Sequence, residues 1–137
     1  MSNNIMDFPD LGGQLTHKVI KCCIDVHKHF GPGLLESVYE AALAIEFQNN
    51  KINFEKQKAV EVFYKGSNLG VGYRLDFLVE DKLILEIKSS DSLLPVHQAQ
   101  ILSYMRISEK PLGLLINFNN KLLKDGMKRF ALEEFNT

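Results

Sequence analysis

The apolar positions in the first fifty residues recur every three or four residues, which is typical of amphipathic helices. The first such stripe consists of Leu15, Val19, Cys23, Val26 and Phe30. It predicts a helix over about residues 15–30, ended by the glycines and proline of residues 31–33. A second helix is predicted over about residues 35–49. Because its apolar residues cover a wide face, we expect it to pack on two sides.

Beyond residue 57 the apolar period changes to two, which favours strands. Strands are predicted over 58–64, 69–79 and 83–88, with turns at 65–68 and 80–82. A third helix is predicted from near Pro95 to about Ile107, followed by strands over 112–117 and about 127–132. The order α-α-β-β-β-α-β-β predicts an α/β fold with a mixed central sheet flanked by helices.

Composition narrows the class of protein. A chain of 137 residues suits one domain, spanning residues 1–137 with residues 1–10 as a flexible lead-in. A net charge of −1 argues against a protein held to nucleic acid by its overall charge, although it leaves room for a local basic groove. Adjacent Cys22 and Cys23 cannot form a disulfide framework, and no apolar run is of membrane-spanning length. Residues 1–10 show no basic stretch followed by an apolar one, so we expect no secretory leader there. A reduced, cytoplasmic location without membrane contact is therefore expected.

Two charged residues interrupt the apolar strand predicted over residues 83–88. Glu86 and Lys88 stand two residues apart, so their side chains lie on the same face of the strand. Burying a charge is costly unless the charge is paired or binds a metal. The pair alone therefore fits an ion pair at a sheet edge as well as it fits a functional site.

Asp76 adds a third charge in the neighbouring apolar strand. If residues 80–82 form a three-residue hairpin loop, Asp76 faces Glu86, and the two carboxylates lie ~5 Å apart on one side of the sheet. They would repel by a few kcal/mol, roughly, unless one is protonated or a cation lies between them. Mg²⁺ or Mn²⁺ would fit, and Lys88 would then stabilise charge on a phosphate. A two-residue loop would instead oppose Asp76 to Ile87.

Three motifs carry a resemblance to known families. Asp76 with Glu86-Ile87-Lys88 resembles the D…(D/E)xK signature of the PD-(D/E)xK nuclease superfamily, with Leu75 in place of its proline. Gly33-Leu34-Leu35-Glu36-Ser37-Val38-Tyr39 resembles the pattern of the GxxExxY family of that superfamily. Gln100-Ile101-Leu102-Ser103-Tyr104 resembles the QxxxY motif of RecB-like members. The resemblance covers about residues 15–132 and implies a restriction-endonuclease-like core.

The resemblance also implies roles for individual residues. It implies that the catalytic residues are Asp76, Glu86, Lys88 and Glu36. The residues that it implies as metal ligands are Asp76, Glu86 and Glu36. The residues expected to bind substrate or support the site are Tyr39, His97, Gln100 and Tyr104. Simpler roles stay open for all of the supporting residues and for Glu36. Glu36 fits a first-turn carboxylate, Tyr39 core packing and His97 a structural role, and Gln100 and Tyr104 fit a solvated and a half-buried side chain as well as a site role.

The predicted function is hydrolysis of DNA phosphodiester bonds by a Mg²⁺- or Mn²⁺-dependent nuclease. One alternative is a non-catalytic module that binds nucleic acid or protein, as a homodimer or as a subunit of a repair or defence complex. A second alternative is an interaction protein in which the charges form an ion-pair network. A basic run near the C-terminus could supply a local phosphate-binding patch; it consists of Lys121, Lys124, Lys128 and Arg129.

Overall fold

The computed structural model describes residues 13–132. The helices are α1 (Gly13–Phe30), α2 (Glu36–Asn49) and α3 (Pro95–Ser108), and the strands are β1 (Phe54–Tyr64), β2 (Ser67–Val79), β3 (Leu83–Lys88), β4 (Leu112–Asn117) and β5 (Met127–Ala131). The predicted order of elements is confirmed, and β3 and β4 have the predicted bounds. Strand β1 begins earlier than predicted, at Phe54. The lead-in predicted for residues 1–10 lies outside the described residues.

The five strands form one mixed sheet in the order β1-β2-β3-β4-β5. Strands β3 and β4 are parallel, and the other neighbouring pairs are antiparallel. Helix α3 makes the crossover that a parallel pair requires. The predicted α/β class with a mixed central sheet is confirmed.

Helices cover both faces of the sheet centre. On one face α1 and α2 pack through residues such as Val19, Tyr39 and Leu43. On the other face α3 packs through Ile101 and Met105. Because β3 and β4 are buried on both faces, their sequences are nearly continuous apolar runs rather than alternating ones.

The expectation that α2 packs on two sides is wrong. Tyr39, Leu43 and Phe47 are buried, whereas Val38 is 36% exposed and Ile45 is 57% exposed. Both α1 and the sheet contact the same stripe of α2, and within residues 13–132 no further layer covers its other side. A wide apolar face therefore did not indicate two packed sides here.

The β2–β3 hairpin has the register that a three-residue loop predicts. Val79 pairs with Leu83 and Phe77 with Leu85. Glu80 and Asp81 adopt positive φ angles of 52° and 57°, which close the turn, and the Asp81 carboxylate accepts a hydrogen bond from Lys110 at 2.8 Å. This register sets Asp76 opposite Glu86.

The outer parts of β1 and β2 extend beyond the rest of the sheet. Strand β3 pairs with β2 only from Phe77 to Val79, whereas β1 pairs along β2 as far as Ser67. Residues 58–75 therefore form a two-stranded ribbon, called the ribbon below.

Two smaller expectations concern the cysteines and the membrane. Cys22 and Cys23 are both free and buried, as expected from their adjacency. Among the described residues, no helix is long and apolar enough to cross a membrane.

Candidate active site

Strands β2 and β3 diverge where their two acidic residues meet. The backbone pairing ends at Phe77 and Leu85. At the next position the Asp76 N–H donates to Glu86 Oε2 at 3.0 Å, and the Ile87 N–H donates to Asp76 Oδ2 at 2.7 Å. Each carboxylate thus accepts a hydrogen bond from the backbone of the opposite strand. These two reciprocal bonds hold the two carboxylates side by side.

The other oxygen of each carboxylate is left available. Within residues 13–132, Asp76 Oδ1 and Glu86 Oε1 accept no hydrogen bond. No side-chain nitrogen or oxygen in that part of the chain is completely buried without a partner, so each of these two oxygens keeps some exposed surface. They are free to bind a cation or water.

Burial makes this pair of acids easy to protonate. Glu86 is 6% exposed, and burial together with the Asp76 charge raises its pKa from 4.5 to about 8. Burial also raises the pKa of Asp76, and Glu40 and Glu36 add to that effect. The strand supplies too little compensation for two negative charges, and a bound cation would supply it.

Lys88 ends β3, two residues beyond Glu86, and is half-buried. Its ammonium lowers the pKa of both Asp76 and Glu86, which places it within electrostatic range of the two acids. Among the described residues it forms no salt bridge with either. The ammonium is therefore not consumed by an ion pair.

Glu36 begins α2 and lies beside the end of β3. Its Oε2 accepts the Ser89 N–H at 3.1 Å, one residue beyond Lys88. Its charge raises the pKa of both Asp76 and Glu86. The structure therefore brings Glu36 close to the two acids. One oxygen of its carboxylate is used to bind the backbone of the loop after β3.

Tyr39 is fully buried below this loop rather than exposed to the site. Its hydroxyl donates to Gly31 O at 2.6 Å and accepts from the Leu34 N–H at 3.1 Å. The Ser89 hydroxyl in turn donates to Leu34 O at 2.6 Å. Tyr39 thus orders the turn that carries Glu36, which gives the Gly-x-x-Glu-x-x-Tyr spacing a structural reason.

Glu40 is a residue of the site that the sequence reasoning missed. It stands one helical turn after Glu36, and its charge acts on Asp76 more strongly than that of Glu36. Gln57 donates to Glu40 Oε2 at 2.6 Å, and Lys56 lies 3.8 Å from Oε1. The i, i+4 spacing from Glu36 was the signal that could have found it.

Asn117 was also missed, although it is the last residue of the strand predicted over residues 112–117. It is completely buried at the end of β4, in register with Lys88. Its Oδ1 accepts the N–H groups of Ser90 and Asn119, and its Nδ2 donates to Ser90 O. Asn117 therefore fixes the start of the loop that follows Lys88.

Helix α3 brings Tyr104 to the other side of the site. Burial raises the pKa of Tyr104, and the charges of Glu86 and Asp76 contribute to the increase. Gln100 is exposed one turn earlier on the helix. His97 accepts the Leu94 N–H on Nδ1 at 3.0 Å and so caps the start of α3.

The basic residues near the C-terminus do not form one patch. Lys121 and Lys124 line a cleft with Lys28 beside Gly31 and Pro32. Lys128 and Arg129 are neighbours on β5, so their side chains point to opposite faces of the sheet.

The acids suit a hard divalent cation by their chemistry. Carboxylate oxygens are the ligands that Mg²⁺ prefers, and it commonly binds through one or two of them and keeps several waters. In the described part of the chain, no three His, Cys, Asp or Glu side chains are grouped closely enough to form a ready-made metal cage. Asp76 and Glu86 alone therefore offer the open type of site that Mg²⁺ uses with substrate phosphates.

A mixed sheet flanked by helices, with two acids and a lysine where central strands diverge, is an arrangement found in nucleases. The sequence profile described as the PD-(D/E)XK nuclease superfamily matches residues 13–130. The chain belongs to this superfamily.

Two solved structures are similar to this chain, and the first of them supports the fold. An alkaline exonuclease (LHK-Exo) from Laribacter hongkongensis matches with a TM-score of 0.50 at 12% identity, over 96% of this chain and 78% of that one. The protein SSO0001 matches with a TM-score of 0.45 at 22% identity, over 73% of this chain. The chain spans 52% of the length of SSO0001. A comparison with curated proteins found no match.

Proposed function

We propose that this protein is a divalent-metal-dependent nuclease that hydrolyses DNA, with the metal held by Asp76 and Glu86. The proposal includes membership of the GxxExxY group and a cytoplasmic location. One observation carries it: Asp76 and Glu86 are fastened to each other's strands through one oxygen each, and the second oxygen of each is free. A pair of acids that served only folding would use both oxygens of each carboxylate and would not leave one oxygen of each without a hydrogen bond.

The residues divide the work of hydrolysis between them. A bound Mg²⁺ or Mn²⁺ would lower the pKa of a water and neutralise charge on the phosphate. Lys88, free of salt bridges among the described residues, is placed to stabilise charge developing on the scissile phosphate. Glu36 holds the loop after Lys88 by accepting the Ser89 N–H. Its carboxylate can also accept a hydrogen bond from a water bound at Asp76 and Glu86.

Two further side chains complete the proposed site. Glu40 adds negative charge beside Asp76 and so favours a bound cation. Tyr104 and Gln100 line the α3 side, where we propose that they contact the substrate. His97 is assigned to capping the helix and Tyr39 to ordering the turn before Glu36.

A nuclease assay with matched variants tests the proposal. Labelled DNA and RNA of the same sequence, single-stranded and duplex, are incubated with Mg²⁺, Mn²⁺ or EDTA. We expect cleavage of DNA that needs the metal and falls at least a hundredfold in Asp76→Asn, roughly the size of a lost charge-stabilising group. Asp81→Asn is the control, because Asp81 is an exposed turn carboxylate paired with Lys110. Equal activity in Asp76→Asn and the wild type would refute the proposal.

Lys88→Met separates the nuclease from an ion-pair protein. Breaking a buried ion pair costs about 3–5 kcal/mol, because the partner charge is left unpaired. A metal-binding site keeps its cation, so we expect the variant to stay folded with Mg²⁺ and to lose hydrolysis. Thermal melts with and without Mg²⁺ decide between the two. Unfolding irrespective of metal would favour the ion-pair protein.

A further inference from the structure

The ribbon presents aromatic surface next to the proposed active site. Tyr73, on β2, is 43% exposed. Its ring lies 4.8 Å from that of Tyr104, centroid to centroid, with the planes inclined at 47°. Tyr104 is in turn within electrostatic range of Glu86 and Asp76. Tyr104 also packs against the cluster that contains Ile84, which lies on the same face of β3 as Glu86. The two tyrosines therefore join the ribbon to the face of the sheet that carries Glu86.

The ribbon leaves this surface open. Along residues 67–75, β2 pairs with β1 alone, and every residue from Ser67 to Arg74 is exposed. A cleft of about 650 Å³ lies along the ribbon, lined among others by Val60, Val71, Tyr73 and Arg74. A two-stranded ribbon with exposed apolar side chains is marginally stable by itself, and a ligand stacked on it would stabilise it.

Charge favours a nucleic acid as the ligand on this surface. The ribbon contains three basic side chains and one acidic one, although the whole chain has a net charge of −1, and one of the three, Lys58, is paired with Glu55. Arg74 and Lys65 are exposed and form no salt bridge among the described residues. Arg74 also donates to Gln57 O at 3.1 Å, which holds its side chain against β1. As the neighbour of Tyr73 on β2, Arg74 points to the opposite face of the ribbon, although both residues line the cleft. The ribbon that carries the aromatic surface thus also carries positive charge.

We infer that Tyr73 is a base-stacking residue, and that the ribbon selects unpaired nucleotides and delivers the strand to Asp76 and Glu86. In a duplex the faces of the bases are covered by their neighbours, and only base edges are open in the grooves. A tyrosine ring therefore stacks on a base only where that base has left the helix. Since the protein carries little positive charge overall, stacking supplies affinity that phosphate contacts do not. This inference rests on the proposed function, because it names the substrate of the same site.

Binding measurements in EDTA test the inference without cleavage. Fluorescence anisotropy is recorded with three probes of one sequence: a single strand, a blunt duplex and a duplex whose two ends are closed by loops of non-nucleotide linker. We expect the single strand to bind at least tenfold more tightly than the closed duplex. Equal or tighter binding of the closed duplex would overturn the inference. Tight binding of the blunt duplex alone would also overturn it, since it would indicate stacking on a terminal base pair.

Variants locate the binding to Tyr73. We expect Tyr73→Ala to weaken single-strand binding by about fivefold to a hundredfold, the usual effect of losing one stacked base, and Tyr73→Phe to keep it. Phe63→Ala is the matched control, because Phe63 is an aromatic residue of the same ribbon, 58% exposed and farther along it. Circular dichroism confirms that each variant is folded, and Tyr73→Leu replaces the alanine variant if that one unfolds. An equal loss in Phe63→Ala, or no loss in Tyr73→Ala and Tyr73→Leu, would refute the inference.

The outcomes remain separate from those of the cleavage assay. If DNA is cleaved in an Asp76-dependent manner but Tyr73→Ala binds normally, the nuclease proposal stands and the stacking inference fails. If no probe is cleaved with any metal but the single strand binds through Tyr73, the nuclease proposal fails and the stacking surface stands.

Sedimentation of the protein alone tests whether the surface binds a second copy of the chain. A stable dimer that Tyr73→Ala dissociates would assign the surface to that second copy and overturn the inference.

Discussion

At the scale of single residues, the decisive feature is a carboxyl group held where its charge is poorly solvated. Glu86 occupies a strand whose neighbours on both sides are apolar and buried. Its carboxylate accepts one backbone hydrogen bond, which does not offset the desolvation and the nearby Asp76. Such a group binds either a proton or a cation, and pH decides between the two.

We predict that Mg²⁺ stabilises this protein more at high pH than at low pH. The pKa of Glu86 is raised from 4.5 to about 8 in the folded protein. A raised pKa contributes stability that is fully present below about pH 4.5 and is lost as pH rises through about 8. Without metal, the melting temperature should therefore fall between about pH 5 and pH 9. With Mg²⁺ the loss should be offset, because the metal binds the ionised form and displaces the proton.

Thermal melts across this pH range, with EDTA or Mg²⁺, check this prediction. Glu86→Gln removes the titrating group and should flatten both the pH dependence and the response to Mg²⁺. Asp81→Asn is the control and should keep both, since Asp81 sits on the exposed turn. A Mg²⁺ effect that is independent of pH would contradict the assignment of Glu86 as the group that exchanges its proton for metal.

At the scale of elements, the loop between β3 and α3 is held from two sides. Glu36 and Leu34, at the start of α2, bind Ser89. Asn117, at the end of β4, binds Ser90. The orientation of Lys88 therefore depends on two elements that are distant from it in the chain.

We predict that Asn117→Ala lowers both stability and activity. It leaves the N–H groups of Ser90 and Asn119 without their partner, which should lower the free energy of unfolding by about 2–3 kcal/mol. A small displacement of Lys88 should reduce kcat by about tenfold to a hundredfold. Urea unfolding and the cleavage assay measure the two effects. Asn49→Ala, at the exposed end of α2, should change stability by less than about 0.5 kcal/mol. Full activity in Asn117→Ala would show that the loop position is set elsewhere.

At the scale of the whole molecule, the net charge of −1 limits how the protein holds a polyanion. The basic side chains are spread over the ribbon, the cleft beside Gly31 and both faces of β5. Few of them can contact one nucleic acid strand at the same time. Electrostatic attraction is therefore a local contribution rather than the main source of affinity.

We predict a shallow salt dependence of DNA binding. About three phosphate contacts would give a slope of roughly −2 in a plot of log affinity against log salt concentration for a single strand. Arg74→Gln should reduce the slope by about 0.7, the contribution of one phosphate contact on a single strand. Anisotropy titrations between about 50 and 200 mM salt measure both. A slope near −6 or steeper would show a continuous basic groove, contrary to the scattered cations.

The order of the elements followed from sequence alone, since apolar period and turn residues are local properties of the chain. The position of the β2–β3 turn followed as well, but its loop length stayed open between three and two residues, and the structure decided for the three-residue loop that sets Asp76 opposite Glu86. The candidate acids could be singled out because a charge in an apolar strand is visible without a structure. The resemblance of these motifs to the PD-(D/E)xK signature indicated the superfamily, and the match to the superfamily profile confirmed it.

Only the tertiary structure decided which residues from other elements join the acids. The charge of Glu40 acts on Asp76, and Asn117 binds Ser90 in the loop after Lys88, because α2 and β4 pack beside β3. The exposed side of α2 and the meeting of Tyr73 with Tyr104 depend on the same long-range packing. Residues far apart in the chain carry no local sign of their contact. The sequence by itself therefore determined the two acids and the strands that carry them, because a charge in an apolar strand is a local property, and the hairpin register and the packing of distant elements determined the shape of the site around them.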